Sequence, residues 1–208
     1  MSVGQYIRLI VSPPEHPPAY SREDLLMQEF IYKEGEKLTL VKSLSADPAW
    51  NSHDAYSCFD GDEKATRLTT GPLAGARALG AFQRIFTNKE TGEVVSVVWF
   101  GGALAGWPGI THGGLAATIL DEMFGRCALR QFPIGTGVTA NLDINYRKPI
   151  LTNSYYVVRA TPLKETFTEK KGWVEGTLET LEGKVCIEGK GLFVVPKKFQ
   201  TKSIPSNF

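Results

Sequence analysis

The sequence THGGLAATILD, residues 111–121, decides the fold, because it places two glycines at the start of an apolar helix and one carboxylate about two turns later. The first residues of a helix carry backbone N–H groups without intrahelical partners, and such groups can polarise a carbonyl. A carboxylate can act as a general base or as a nucleophile. The stretch therefore predicts a long helix over residues 113–131 that carries two catalytic elements.

Two adjacent carboxylates compete for the chemical role. Glu122 lies four residues before Arg126, which favours an ordinary ion pair on a solvated face. Asp121 meets Gly125 at that spacing, and its other neighbours on the same stripe of the helix are small as well. We therefore assign the chemistry to Asp121 and a solvent-exposed pair to Glu122. The alternative is a tightly packed helix in which Asp121 is a structural cap.

The spacing within this helix also predicts an assembly. Gly113 and Asp121 are eight residues apart, or about 12 Å along a helix that rises about 1.5 Å per residue. One carbonyl cannot contact both positions of the same helix. A site that uses both must take one from each of two copies, which predicts a homodimer with two sites at its interface.

The regions around the helix read as strands joined by short turns. Two strands precede it and four follow it, which predicts an α+β fold with a mostly antiparallel sheet around one long central helix. The predicted strands cover residues 78–87, 94–104, 138–147, 154–166, 172–181 and 184–195.

Residues 1–75 differ from the rest, because they are rich in prolines and polar clusters. A capping pattern at residues 21–24 predicts a helix near residues 21–34. Residues 46–64 contain several aromatic side chains and read as a second short helix or a covering loop. The sequence therefore divides into an N-terminal extension, residues 1–75, and a domain, residues 76–208.

Composition excludes several classes of function. The net charge is +1 over 208 residues, so no nucleic-acid partner is expected from bulk electrostatics. No apolar run is long enough for a membrane span. Cys58, Cys127 and Cys186 lack metal-ligand or redox spacing, so we expect buried or half-buried thiols, no metal and a reducing compartment. The N-terminal residues lack a secretory pattern, and their acids argue against a transit peptide, so a cytoplasmic location comes first and a mitochondrial one second.

Taken with the stretch VTANLDINYRKPI, residues 138–150, the opening stretch resembles the hotdog-fold acyl-CoA thioesterases, and most closely their PaaI-like branch. The resemblance covers about residues 76–196. In that family a sheet wraps one long helix, and two protomers join their sheets edge to edge. The resemblance implies hydrolysis of acyl-CoA to free acid and CoA, within fatty acid metabolism, with no cofactor.

The resemblance also implies roles for five residues at the reacting centre. Asp121 falls at the position of the family's general base or nucleophile. Thr139 falls on a threonine that positions water or the acyl group. Gly113 and Gly114 fall where backbone N–H groups polarise the thioester carbonyl, and His112 sits beside them.

Four further residues are implied in binding CoA. Asn145 and Arg147 lie at the end of the strand where the family contacts CoA. The basic pair Lys170 and Lys171 precedes the predicted strand at residues 172–181. A looser alignment implies that this pair contacts the CoA phosphates.

Other functions remain open at this point. A hotdog hydratase or dehydratase acting on acyl thioesters would need a catalytic histidine, and only His112 could serve. A non-catalytic, thioester-binding dimer would need neither Asp121 nor Thr139. Within the hydrolases, the thioester could be carried by CoA or by a carrier protein, and the assembly could be a dimer or a tetramer.

Overall fold

The computed structural model describes residues 16–196, and the stretch Met1–Val11, on which the predicted compartment partly rests, lies outside them. The helices are α1 (Arg22–Lys37), α2 (Thr39–Ala46), α3 (Gly61–Ala65) and α4 (Gly113–Leu129). The strands are β1 (Trp50–Asp54), β2 (Gln83–Asn88), β3 (Val94–Phe100), β4 (Ala105–Trp107), β5 (Ile110–Thr111), β6 (Val138–Tyr146), β7 (Ser154–Pro162), β8 (Lys171–Thr180) and β9 (Val185–Val194). Short 3₁₀ turns lie at Gly102–Leu104 and Lys164–Thr166.

One large sheet organises the described part of the chain. Its seven strands lie in the order β1-β2-β3-β7-β8-β9-β6, and β4 and β5 form a separate hairpin. Every neighbouring pair in the large sheet is antiparallel, as the short connections predict. The predicted α+β arrangement is confirmed, and β6 ends the sheet on one side.

The central helix α4 packs on one face of this sheet, called the inner face below, mainly against β7 and β8. Phe124 is fully buried there. A Cβ added to Gly176 would lie 2.8 Å from the Phe124 ring, and one added to Gly191 would lie 3.2 Å from it. These glycines therefore let the helix approach the sheet closely. Each large apolar side chain that α4 buries contributes about 1.5–3 kcal/mol relative to an exposed one.

Helix α1 begins where the capping pattern predicts. The Ser21 side chain accepts the backbone N–H of Asp24 at 3.2 Å. The Asp24 side chain is buried and accepts the backbone N–H of Ala76 at 3.1 Å, which ties the start of α1 to a loop 52 residues later. The helix predicted near residues 21–34 is confirmed.

Helix α1 covers part of the outer face of the sheet. Ile31 on α1 packs into a second apolar cluster with Phe82 and with side chains of β2, β3 and β7. The Tyr155 hydroxyl of β7 donates a hydrogen bond to the Ile31 carbonyl. Arg84 on β2 donates to Asp54 at 2.8 Å and also pairs with Glu36 of α1. The sheet is therefore covered on its inner face by α4 and partly on its outer face by α1.

The prediction of a short helix or a covering loop over residues 46–64 needs one correction. Its residues 50–54 form neither a helix nor a loop but the outermost strand, β1, which pairs with β2 from Trp50↔Asn88 to Asp54↔Arg84. The sequence of β1 has little strand propensity, and it pairs because the open edge of β2 offers hydrogen-bond partners. β1 is part of the sheet and α1 packs on it, although both precede residue 75. The division of the chain at that residue stays a prediction.

Three predicted strands differ from the structure at their ends. The strand predicted at residues 78–87 starts only at Gln83. The strand predicted at 94–104 ends at Phe100, because the chain crosses itself closely at Gly101, where an added Cβ would lie 2.2 Å from Arg77 backbone. The strand predicted at 154–166 ends at Pro162, which has no N–H for the ladder.

The cysteines lie as predicted, with Cys127 and Cys186 buried and Cys58 half-buried. Burial raises the pKa of the Cys127 thiol to about 12. Among the helices within residues 16–196, none has the length and apolar character needed to cross a membrane.

Candidate active site

The start of α4 is shaped by His112, which is its N-cap residue. The backbone N–H of Gly114 donates to Nδ1 of the His112 ring at 3.0 Å. A Cβ added to Gly106 on β4 would lie 2.9 Å from the His112 backbone and ring, so the hairpin before α4 approaches closely. Because Nδ1 accepts a hydrogen bond, the neutral ring carries its proton on Nε2. His112 is exposed, so Nε2–H faces accessible space.

The backbone groups of Gly113 have other surroundings than the Gly114 N–H. The Gly113 N–H has no hydrogen-bond partner among the described residues. The Gly113 carbonyl accepts a hydrogen bond from the Tyr146 hydroxyl at 2.7 Å. Of the two predicted amide donors, Gly113 is therefore open to a ligand, whereas Gly114 is already bonded within the chain.

A pocket of about 320 Å³ opens beside this turn. One side is formed by the end of β6 and the residues after it, which include Tyr146 and Lys148. The backbone N–H of Thr111 donates to the Ile150 carbonyl at 2.7 Å and fixes the other side. The complete lining is Ile110, Thr111, Gly113, Ala116, Tyr146, Arg147, Lys148, Pro149 and Ile150. The pocket combines apolar walls with two cations and the open Gly113 amide.

Two turns along α4, Asp121 meets Thr139 of β6. The Thr139 hydroxyl donates to Oδ1 of Asp121 at 2.7 Å. Asp121 is half-buried, and its Oδ2 has no hydrogen-bond partner within residues 16–196. The arrangement leaves a carboxylate oxygen accessible while the adjacent hydroxyl fixes its orientation. Such a carboxylate can accept a proton from a bound water.

Of the four residues predicted to bind CoA, Asn145 and Arg147 both lie beside Glu188, whereas Lys170 and Lys171 lie apart from them. Arg147 lines the pocket beside Gly113, and its Nε donates to Glu188 at 3.0 Å. That hydrogen bond raises the pKa of Arg147 above its ordinary value. Asn145 instead lines a separate groove on the outer face of the sheet. Lys170 and Lys171 lie at the opposite end of β6, because Lys171 and Val138 both pair with Val194.

The predicted pair of Glu122 with Arg126 is confirmed, but its predicted solvent exposure is wrong. The pair that Glu122 forms with Arg126, at 3.1 Å, is buried: the exposed fractions of the two side chains are 10% and 0%. The Arg126 guanidinium lies 4.6 Å from the ring centroid of Tyr56, which belongs to the loop after β1. Gln83 of β2 donates to the same Glu122 oxygen at 3.3 Å. Helical spacing predicted the pair but not the loop that covers it.

Burial shifts the pKa values of two groups in this cluster. Burial, together with the nearby Glu122 charge, raises the pKa of Tyr56 to about 12. Burial and the positive charge of Arg126 lower the pKa of Arg130. Sequence reasoning placed Tyr56 in a segment read as a short helix or a covering loop but did not assign its contact with Arg126, and it did not assign a role to Tyr146. The tyrosine in the motif Asn145–Lys148 was visible, but its contact with the start of α4 depends on how β6 crosses the helix.

Comparisons with known proteins bear on the fold of the chain. Residues 108–166 match the family model described as the thioesterase superfamily. The crystal structure of the BH2602 protein from Bacillus halodurans with CoA has a TM-score of 0.53 at 21% identity, covering 87% of this chain and 99% of that one. The chain has the hotdog fold, and its residues 108–166 match the thioesterase superfamily. Zebra fish thioesterase superfamily member 2 shares this hotdog fold, with a TM-score of 0.51, 17% identity, and coverage of 64% of this chain and 91% of that one.

Two curated relatives match much of the chain. The acyl-coenzyme A thioesterase THEM4 of Mus musculus is 33% identical over 139 residues, which cover 66% of this chain and 58% of the mouse protein. An uncharacterized mitochondrial protein of Candida albicans is 28% identical over 182 residues, which cover 85% of this chain and 81% of that protein. This chain thus spans less than two thirds of the length of the mouse relative.

Proposed function

We propose that this chain hydrolyses an acyl-CoA thioester to a free acid and CoA. The observation that carries the proposal is the 2.7 Å hydrogen bond from Thr139 to Asp121, on the same helix whose start presents an unpartnered Gly113 N–H. The name of the mouse relative and the CoA in the Bacillus structure support CoA as the carrier. A binding protein would need neither an oriented carboxylate nor an open amide.

The carbonyl oxygen of the thioester docks on the Gly113 N–H. The Gly114 N–H does not join it, because it donates to His112. The Nε2–H of His112 serves instead as the second donor. Negative charge develops on the carbonyl oxygen during attack, and each such donor in a related oxyanion site contributes about 3–4 kcal/mol.

Asp121 acts as a general base on water. Thr139 donates to Oδ1, so Oδ2 accepts a proton from the attacking water, whose oxygen forms a bond to the carbonyl carbon. The tetrahedral intermediate then breaks its carbon–sulfur bond. The sulfur of CoA leaves with the electron pair and takes the proton from Asp121, so the products are the free acid and the CoA thiol.

A second copy of the chain completes the site. β6 ends the sheet, and its outer edge has no pairing strand within the described residues. When two β6 strands pair about a two-fold axis, they run antiparallel, so the Gly113 end of one protomer faces the Asp121 end of the other. The same pairing brings Arg147 of one protomer to the side of the other that carries Lys170 and Lys171. A tetramer would arise from two such dimers.

Free-thiol release from a panel of short, long and aromatic acyl-CoA substrates tests the activity. We expect hydrolysis of at least one substrate and none by D121N. Matched carrier-protein thioesters and enoyl-CoA belong in the same panel. Turnover of the carrier thioester alone would replace CoA as the substrate. Hydration of enoyl-CoA without thiol release would favour the hydratase alternative, and an inactive panel with CoA binding would favour a non-catalytic dimer.

Mixing two inactive variants tests the shared site. D121N removes the acid, and G113P removes the amide N–H. In a mixed dimer, the intact Gly113 of one chain faces the intact Asp121 of the other, so one site of two is restored. Because about half of randomly mixed dimers are heterodimers, about a quarter of the wild-type activity should return. No recovery, with heterodimers demonstrated, would contradict a site shared between protomers.

The compartment is a further part of the proposal. The mitochondrial name of the Candida relative supports mitochondria, the second of the two locations that the sequence predicts. Cell fractionation with the tagged protein separates this location from the cytosol.

A further inference from the structure

Strand β6 contacts α4 at both of the positions that the proposed function uses. Thr139, near its start, holds Asp121, and Tyr146, its last residue, holds the Gly113 carbonyl. We propose that Tyr146 is a positioning residue for the carbonyl-binding turn, so that one strand orients both the acid and the amide. This inference rests on the proposed function.

The geometry of one peptide unit explains how Tyr146 acts. The Gly113 carbonyl and the Gly114 N–H belong to the same planar peptide group. Tyr146 binds its oxygen at 2.7 Å and His112 binds its nitrogen at 3.0 Å. The plane is therefore held from both sides. Two consecutive glycines have no side chains to restrict their backbone, so contacts from outside the helix add to the helical hydrogen bonds that hold this first turn.

Holding this plane restricts both proposed donors. The Gly113 N–H is separated from the plane by the two rotatable backbone bonds of Gly113, and both have helical values in the first turn of α4. The His112 ring is oriented by the same plane through its bond to Gly114. When the Tyr146 hydroxyl is lost, the plane keeps its bond to His112 and its place in the first turn of α4 but loses its contact with β6, so the two donors are held less firmly towards the carbonyl oxygen.

The Tyr146 hydroxyl can be removed without removing the wall that its ring forms. A Cβ added to Gly113 would lie 3.5 Å from Tyr146 ring carbons, so the ring packs beside the turn. Tyr146 is also 54% exposed, so water can replace part of the lost hydrogen bond and the fold should survive. Y146F therefore tests the hydroxyl alone.

The chain offers a matched control. The Tyr155 hydroxyl also donates to a backbone carbonyl, that of Ile31 on α1, on the other side of the sheet. Y155F removes the same kind of hydrogen bond away from the proposed site. For Y146F we expect kcat to fall about tenfold with KM within twofold, because misplaced donors weaken mainly the transition state. For Y155F we expect kcat and KM within twofold of wild type.

Amide hydrogen exchange at Gly114, measured by NMR without substrate, gives a second readout. Exchange should become faster in Y146F and stay unchanged in Y155F. An unchanged Gly114 exchange rate in Y146F overturns the proposal, whether or not the chain hydrolyses acyl-CoA. A normal kcat overturns it too, and so does a raised KM with a normal kcat, because that result makes Tyr146 a substrate contact. If the wild-type chain is inactive on every thioester, the proposed function is refuted. The exchange measurement then still decides the role of Tyr146.

Discussion

Two faces of α4 carry adjacent carboxylates with opposite surroundings. The active face, defined by Gly113 and Asp121, is turned towards the edge strand β6, where Thr139 contacts the acid. The anchored face, defined by Glu122 and Arg126, is covered by β2 and the loop after β1. Successive helical residues point about 100° apart, so one step along the chain separates the two environments.

The difference shows that surroundings, not residue type, decide what each acid does. The anchored acid is only 10% exposed in its side chain and is neutralised by a fully buried cation. Breaking such a pair leaves a buried charge and is strongly destabilising. The active acid keeps one oxygen accessible and has a hydroxyl rather than a cation as its partner. A carboxylate without a neutralising cation remains able to accept a proton.

The largest expected effect is on turnover in D121N. The amide keeps the shape of the side chain but cannot accept the proton of water, so kcat should fall by about 10³-fold or more, with normal thermal unfolding. E122Q is the matched control on the anchored face and should lower stability while the folded enzyme keeps its kcat within a few-fold. Equal kcat losses in the two variants would erase the distinction between the faces.

The next effect concerns the start of α4. G113P removes one N–H, and proline fits the first helical position because His112 already has the extended backbone, φ −59° and ψ 129°, that precedes proline. We expect kcat to fall about 10²–10³-fold. In G113A the N–H remains and the added Cβ meets Tyr146 at 3.4 Å, an ordinary contact, so activity should stay within a few-fold. Steady-state kinetics check this prediction. If folded G113P kept the wild-type kcat, the oxyanion assignment would be refuted.

On the anchored face, R126M should affect stability rather than chemistry. Methionine fills part of the space but leaves Glu122 without its cation, which should cost about 3–5 kcal/mol. For a chain of this length, the midpoint of thermal unfolding should fall by about 10 °C. The kcat of the folded variant, measured well below that midpoint, should stay within twofold. A large loss of kcat at full folding would mean that the anchored face takes part in the reaction.

The smallest expected effect comes from Thr139. T139A removes the hydroxyl that orients Asp121, and kcat should fall about tenfold, because the base itself remains. T139S keeps the hydroxyl and should restore most of that loss, as kinetic assays of both variants would reveal. If T139S were as impaired as T139A, the methyl group and its packing would matter more than the hydrogen bond.

Much of the fold could be predicted from local patterns. The helix after the glycine pair, the hairpins and the cap at Ser21 depend on neighbours within a few residues, and all of them lie close to their predicted positions. Strand β1 was missed because its sequence has weak strand propensity and its pairing partner lies more than 30 residues later. The aromatic side chains of residues 46–64 indicated a short helix or a covering loop, but no local pattern specified that Tyr56 lies over Arg126.

The sequence by itself determined the helix, the glycine pair at its start and the acid two turns later, because helical geometry follows from spacing alone. Only the tertiary structure decided which acid is anchored and which is accessible. It also brought Thr139 and Tyr146 of one edge strand into contact with Asp121 and Gly113, the two positions of the helix that the proposed function uses. The physical reason is that burial and hydrogen-bond partners depend on segments far apart in the chain, and no local pattern specifies how those segments cross.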